Sequence, residues 1–111
     1  MANRDAGLEV MRGSAGASGW TFLTNHAHVL LTIARDPQTT LREVAALVGI
    51  TERAVQKIVA DLEATGYLTR TRHGRRNRYA VATGRPFRHP VTSGHDVDEL
   101  LEILASVPRQ D

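Results

Sequence analysis

The sequence predicts a mainly helical domain with one small β-hairpin, an α+β arrangement, followed by a further helix. Three observations predict it. Apolar residues recur at helical spacing in successive segments between Thr24 and Thr65. Two strand-like runs flank His73-Gly74-Arg75-Arg76, and a leucine-rich stripe follows Asp96. At 111 residues the chain fits one compact domain with an additional tail or helix.

Each element has a local physical reason. Residues 1–19 are rich in Gly, Ala and Ser, lack periodicity and read as a flexible arm. Order is expected from Trp20-Thr21-Phe22-Leu23, an extended stretch with large aromatics to bury. Thr24 then caps a first helix reaching about Arg35. Its stripe is Leu23, Ala27, Leu30, Leu31 and Ala34, and Asp36-Pro37 ends it because a residue before proline avoids the helical region. Thr40-Leu41-Arg42-Glu43 fits a capping box, in which threonine and glutamate side chains satisfy each other's free backbone amides. The helix it opens buries Leu41, Val44, Ala45 and Val48, and Gly49 stops it. Thr51 caps a third helix from Glu52 to about Thr65, with Val55, Ile58, Val59 and Leu62 inward and Gly66 at its end.

Strands are expected at Tyr67–Arg72 and Asn77–Ala82, with Gly74 supplying a positive-φ turn position. Two prolines and two glycines make 83–95 an irregular connector. A last helix fits 96–107, capped by Ser93 or Asp96 and stopped before Pro108. Val97, Leu100, Leu101, Leu104 and Val107 form its stripe, which either folds back on the domain or meets its twin in a second subunit. The division is thus an arm at 1–19, a folded domain at 20–82, a connector at 83–95 and a terminal helix at 96–107 with dimerisation as its expected role.

Charge is distributed unevenly. From Tyr67 to Arg88 there are seven arginines and no acidic residue, whereas from His95 onward five carboxylates face Arg109 alone. Such a stripe attracts a polyanion whatever the whole-chain charge. Lys57 is the only lysine, so positive charge sits almost wholly on guanidinium groups, which suit bidentate contact with phosphate or guanine. A GC-rich coding bias would account for the ratio of arginine to lysine, but not for the clustering.

The functional constellation lies in Leu41-Arg42-Glu43-Val44-Ala45-Ala46-Leu47-Val48-Gly49-Ile50-Thr51 and the helix that follows. A helix-turn-helix needs a small residue where two helices cross, glycine in the turn and an apolar residue after it. Ala45, Gly49 and Ile50 meet these needs. With Leu62-Glu63-Ala64-Thr65-Gly66-Tyr67-Leu68 and the arginine-rich hairpin closing on Tyr79, residues 20–82 resemble the winged helix-turn-helix of MarR- and ArsR-type prokaryotic transcriptional regulators. The resemblance implies a recognition helix in the major groove, a wing on adjacent backbone or minor groove, and a homodimer. A dimer would read half-sites about 34 Å apart.

The residues support double-stranded DNA as partner. With the apolar face of the third helix inward, Glu52, Arg53, Gln56 and Lys57 point out. Arg53 suits guanine, Gln56 suits adenine and Lys57 suits phosphate. Glu52 either accepts from cytosine or complements the helix dipole. Thr51 caps and can meet phosphate, while Thr39, Thr40 and Arg42 sit at the second helix's N-terminus, where free amides favour phosphate. In the wing, Arg70, Arg72, His73, Arg75, Arg76 and Arg78 concentrate charge, with Arg75 and Arg76 at the tip suited to a narrow minor groove.

Other classes are disfavoured. No apolar run reaches the roughly 20 residues of a membrane span, and the N-terminus lacks a secretory apolar stretch. The absence of cysteine removes disulfides and thiolate metal sites, and the expected location is cytoplasmic, at the nucleoid. The histidines lack ligand-like spacing with carboxylates, so no metal is expected. Neither a nucleophile motif nor a glycine-rich phosphate cradle is present, and Ser93-Gly94-His95-Asp96 does not build a triad by adjacency. The expectation is no enzyme and no cofactor, with any small-molecule effector unidentified. Two alternatives stand beside a sequence-specific regulator: a winged-helix module docking an acidic protein, and a non-specific nucleoid-binding protein.

Overall fold

The computed structural model describes residues 19–105, so the proposed arm, apart from Gly19, and the end of the terminal helix at 106 and 107 lie outside the described residues. The element order is α1 (Asn25–Arg35), α2 (Leu41–Val48), α3 (Glu52–Ala64), β1 (Leu68–His73), β2 (Arg76–Val81) and α4 (Val97–Leu104). This is a winged helix-turn-helix followed by a short helix, as the sequence predicts.

Helix ends follow their capping residues. Thr24 Oγ1 accepts from Ala27 N–H at 3.4 Å, and Thr51 Oγ1 accepts from Ala54 N–H at 3.0 Å. At α2 the capping box is complete: Glu43 N–H donates to Thr40 Oγ1 at 3.1 Å and Thr40 N–H donates to Glu43 Oε1 at 3.0 Å. Thr39 Oγ1 donates to the same carboxylate oxygen at 3.0 Å. These bonds hold the Glu43 carboxyl below its ordinary range, the backbone donor Thr40 contributing most and the Thr39 hydroxyl next.

Gly49 takes the left-handed conformation (φ 86°), and the Ile50 N–H returns to Ala45 O at 3.1 Å. The end of α3 is a Schellman arrangement, with Gly66 N–H on Glu63 O at 3.1 Å and Tyr67 N–H on Leu62 O at 2.9 Å. Gly66 has φ +86°, and a Cβ there would collide with the Arg85 guanidinium, which donates to Thr65 O at 3.0 Å.

The core forms where α1, α2 and α3 meet over the base of the hairpin. Ile33, Leu68, Val29, Val44 and Val55 are its fully buried side chains. In α1 the burial axis runs through Val29, Leu30 and Ile33, while Leu31 and Ala34 are only partly buried. It is therefore rotated from the expected stripe. The reason is that α1 is packed by α2, α3, β2 and α4 together, so more than one stripe is covered. Trp20 and Phe22 meet edge to face at 5.1 Å yet stay exposed, contrary to the expectation that they are buried.

The hairpin pairs Leu68 with Val81 through to His73 with Arg76, leaving Gly74-Arg75 as a two-residue turn. Gly74 has φ +64°, as a primed turn requires at its first central residue. Both strands start and end within one residue of expectation. The outer edge of β2 is not free: Tyr79 N–H donates to Pro37 O at 3.1 Å, tying the wing to the α1–α2 loop.

The connector is more ordered than its prolines and glycines suggest. Pro86 bridges Asp96, Phe87 N–H meets His95 O at 3.0 Å, and Val97 N–H meets Arg85 O at 2.9 Å. Tyr67 Oη donates to Pro86 O at 2.6 Å, and Gly84 N–H donates to Asp98 Oδ2 at 2.9 Å. A loop with a closed base thus returns the chain to α4, which has its own capping box between Asp96 and Glu99. Val97 and Leu101 enter the core and Arg35 Nη2 donates to Leu104 O at 3.5 Å, so one face of α4 packs within the same chain. Ile103 (77% exposed) and Leu104 (42%) remain outside.

Two outcomes check this description. Gly66→Ala should destabilise by about 1 kcal/mol or more, because alanine resists positive φ, and the loss should shrink in an Arg85→Ala background. Thermal melts of the four proteins measure it; equal losses in both backgrounds would show that Arg85 is not displaced. The second concerns acid. A carboxyl with a depressed folded-state pKa stabilises above its unfolded value, 4.5, and the contribution disappears as pH falls through the lowered value. Melting temperatures of wild type and Glu43→Gln should therefore differ near neutral pH and converge as the pH falls through the lowered value. A gap independent of pH would contradict the assignment.

Candidate nucleic-acid interface

The outward face of α3 follows from its inward one. With Val55, Ile58, Val59 and Leu62 buried, Glu52, Arg53, Gln56, Lys57 and Ala60 are exposed. Arg53 and Gln56 hydrogen-bond to no described side chain or backbone group, leaving a guanidinium and an amide available on one face. Glu52 occupies the first turn of α3, beside its free amides, where the helix dipole favours an acid. Lys57 differs from Arg53: its Nζ lies 3.0 and 3.3 Å from the two oxygens of Asp61, one turn further on. Asp61 in turn meets His26 Nε2 at 2.8 Å, a contact from α1. The His26 bond first, and Lys57 second, hold the Asp61 carboxyl below its ordinary range.

At the start of α2 the expected phosphate contacts divide. Arg42 is exposed, while Thr40 Oγ1 is engaged as the cap. Thr39 is 6% exposed and its hydroxyl is committed to Glu43, so its place is in the capping network beneath the surface. Thr51 likewise uses Oγ1 on Ala54 N–H.

Register sorts the wing. Cross-strand partners share a face, so Leu68, Arg70 and Arg72 lie with Val81, Tyr79 and Asn77, and Thr71 and His73 lie with Arg78 and Arg76. The first set turns toward the core: Leu68 and Tyr79 are buried, and Arg70 Nε pairs with Glu63 Oε2 of α3 at 3.1 Å. Arg72 Nε donates to Gly74 O at 3.1 Å and stiffens the turn. Arg76 reaches Gln38 O at 3.5 Å and lies near enough to Glu43 to lower its pKa slightly. The side chains of His73, Arg75 and Arg78 are exposed and hydrogen-bond or ion-pair with no described residue. The six wing residues therefore comprise three that brace the hairpin and three that are open to a ligand.

Sequence reasoning missed the contacts that organise this surface. Asp61, Glu63, His26 and Gln38 each neutralise or anchor an expected DNA-facing residue or its neighbour. Only the Lys57–Asp61 spacing of four carried a local signal. A cleft of about 280 Å³ opens beside the cluster, lined by His26, Asp61, Leu62, Thr65, Tyr67 and Arg88. Elsewhere His95 Nδ1 pairs with Glu99 at 2.8 Å. Among the described residues no group of three potential ligands is arranged to hold a metal ion, and no helix is long and apolar enough to cross a membrane.

Exposed Arg53 and Gln56 on one helix, with a basic hairpin tied beside it, give a surface able to hydrogen-bond base edges and neutralise phosphates together. The chain is similar to the crystal structure of the PcaV transcriptional regulator from Streptomyces coelicolor, solved in complex with its natural ligand. The TM-score is 0.50 and the identity 19%, over 78% of this chain and 63% of that one. This chain thus spans somewhat under two thirds of that structure's length, and the likeness is one of fold. No curated protein matches the sequence. The model of the MarR family matches residues 20–78, from the aromatic stretch before α1 into β2. On that match over more than half of its length, the chain belongs to the MarR family.

Proposed function

We propose that this protein is a transcriptional regulator that binds double-stranded DNA, with α3 in the major groove and the wing on adjacent backbone or minor groove. The observation carrying the proposal is the free pair Arg53 and Gln56 on the outer face of α3. An isolated guanidinium and an isolated amide have little structural use on an exposed helix, but they match guanine and adenine edges. Arg75 and Arg78, with His73, supply charge to phosphate or a narrow minor groove. Arg42 and the α2 N-terminus add a backbone contact. Its place of action is then the cytoplasm, at the nucleoid.

Two copies would present two recognition helices to half-sites about 34 Å apart. The exposed Ile103 and Leu104 on α4 are the described apolar residues best placed to extend such a contact. Sedimentation equilibrium should give the mass of two chains, and Ile103→Asp should shift it toward one. A monomeric wild type at tens of micromolar would remove the dimer from the proposal.

DNA binding itself is tested by fluorescence anisotropy on promoter and random duplexes over a range of salt. Several phosphate contacts require a steep fall of affinity with salt, about 0.9 in logarithmic slope per contact. Arg53→Ala should cost about 1–3 kcal/mol on the preferred duplex and little on random DNA. Arg75→Ala should weaken both alike and flatten the slope by about 0.9. Binding that ignores salt, or capture of one acidic protein with no affinity for DNA, would overturn the reading.

A further inference from the structure

We propose that Asp61, held in place by His26, masks the ammonium of Lys57 from DNA phosphate and so lowers the sequence-independent affinity of this surface. The inference rests on the DNA-binding reading above and concerns how that surface is tuned. Lys57 shares the outer face of α3 with Arg53 and Gln56 and is 75% exposed, a position otherwise open to a phosphate. Both oxygens of Asp61 lie within 3.3 Å of its Nζ. Stability does not call for this pair. An exposed ion pair contributes little, and lysine placed N-terminal to its acid is the weaker order on a helix.

What distinguishes Asp61 is that it is held from behind. His26 Nε2 reaches across from α1, 35 positions earlier in the chain, and meets Oδ2 at 2.8 Å. The carboxylate is therefore fixed in place, an anion aimed at the one lysine of the DNA-facing helix. It acts as an internal competitor for the phosphate. While Lys57 is neutralised, it releases few counterions from DNA, and Asp61 itself repels the backbone. Sequence-independent affinity therefore falls on every duplex alike, while the base contacts proposed for Arg53 and Gln56 are untouched.

The charged groups facing His26 are Asp61, already bonded to Lys57, on α3 and Arg88 from the connector, which lines the same cleft. His28 on its own helix is turned to Asn25 at 3.2 Å, so it is the His26 ring that holds Asp61.

The test uses the full chain, a labelled random-sequence duplex and a preferred duplex selected by the wild type, followed by anisotropy across salt. Asp61→Asn keeps the shape and removes the charge. It should bind the random duplex several-fold more tightly, with a salt slope steeper by about 0.9. The preferred duplex should gain by a similar factor, since a phosphate contact carries no sequence information. The gain should vanish in Asp61→Asn/Lys57→Gln, where no lysine is left to unmask. Unchanged or weaker random binding by Asp61→Asn at an unaltered melting temperature overturns the inference, as does an equal gain in the double variant.

Should Asp61→Asn melt early, Lys57→Gln alone decides. A masked lysine costs much less than 0.9 in slope when removed, and an unmasked one costs the full amount. Wild type that binds no duplex in a salt-dependent manner would instead sink the DNA-binding reading, and this inference with it.

Discussion

The outward face of α3 depends on how closely α2 and α3 can approach. Ala45 lets the two helices come together, and the left-handed turn at Gly49 directs the chain from one to the other. Behind them Val29, Ile33, Val44 and Val55 are packed without measurable exposure. A helix so placed has no rotational freedom: turning it would expose Val55 and Ile58 and bury Arg53 and Gln56 without partners. The transfer cost of apolar surface and the cost of an unpaired buried charge act in the same direction. The geometry of the outward face is therefore a by-product of core packing, which fixes Arg53 and Gln56 in relation to the domain.

The same constraint reaches the wing. Leu68 and Tyr79 anchor its base in the core, Tyr79 N–H holds the α1–α2 loop through Pro37, and Arg70 holds α3 through Glu63. Hairpin and helix are thus tied into one surface, and the wing arginines divide between those that brace it and those that stay exposed. That division resolves the problem posed by so many like charges in a short hairpin. Arg70 and Arg76 are drawn to Glu63 and to the Gln38–Glu43 region, while Arg72 bonds within the turn, which leaves repulsion concentrated in only a few exposed groups.

Much of this fold was legible in the sequence because its signals are local. Thr40 with Glu43, Gly49, Gly66 and Gly74 each act within a few residues, and each acts where reading placed it. Apolar spacing likewise marked the buried side of α3. What could not be read depends on distance in the chain. His26 and Asp61 lie 35 positions apart, Pro86 and Asp96 meet only when the connector closes, and Tyr79 finds Pro37 only in the folded domain. Thr39 was misplaced for a related reason. Its type suits a helix N-terminus, but the depth of the capping network that buries it is a tertiary property. The axis of α1 shifted because neighbours on several sides override a single stripe. In the candidate site, residue types were readable while their partners were not, so Lys57 and Arg70 looked like free cations although Asp61 and Glu63 hold them.

The DNA binding proposed above makes one requirement of such a surface: a helix in the major groove and a hairpin beside it must engage the same duplex at once. Methylation interference with dimethyl sulfate on a selected duplex tests it most directly, since the reagent marks guanine N7 in the major groove and adenine N3 in the minor groove. The proposed binding predicts interference at guanine N7 within each half-site and at adenine N3 just beside it. A bound duplex on which neither modification interferes would contradict it.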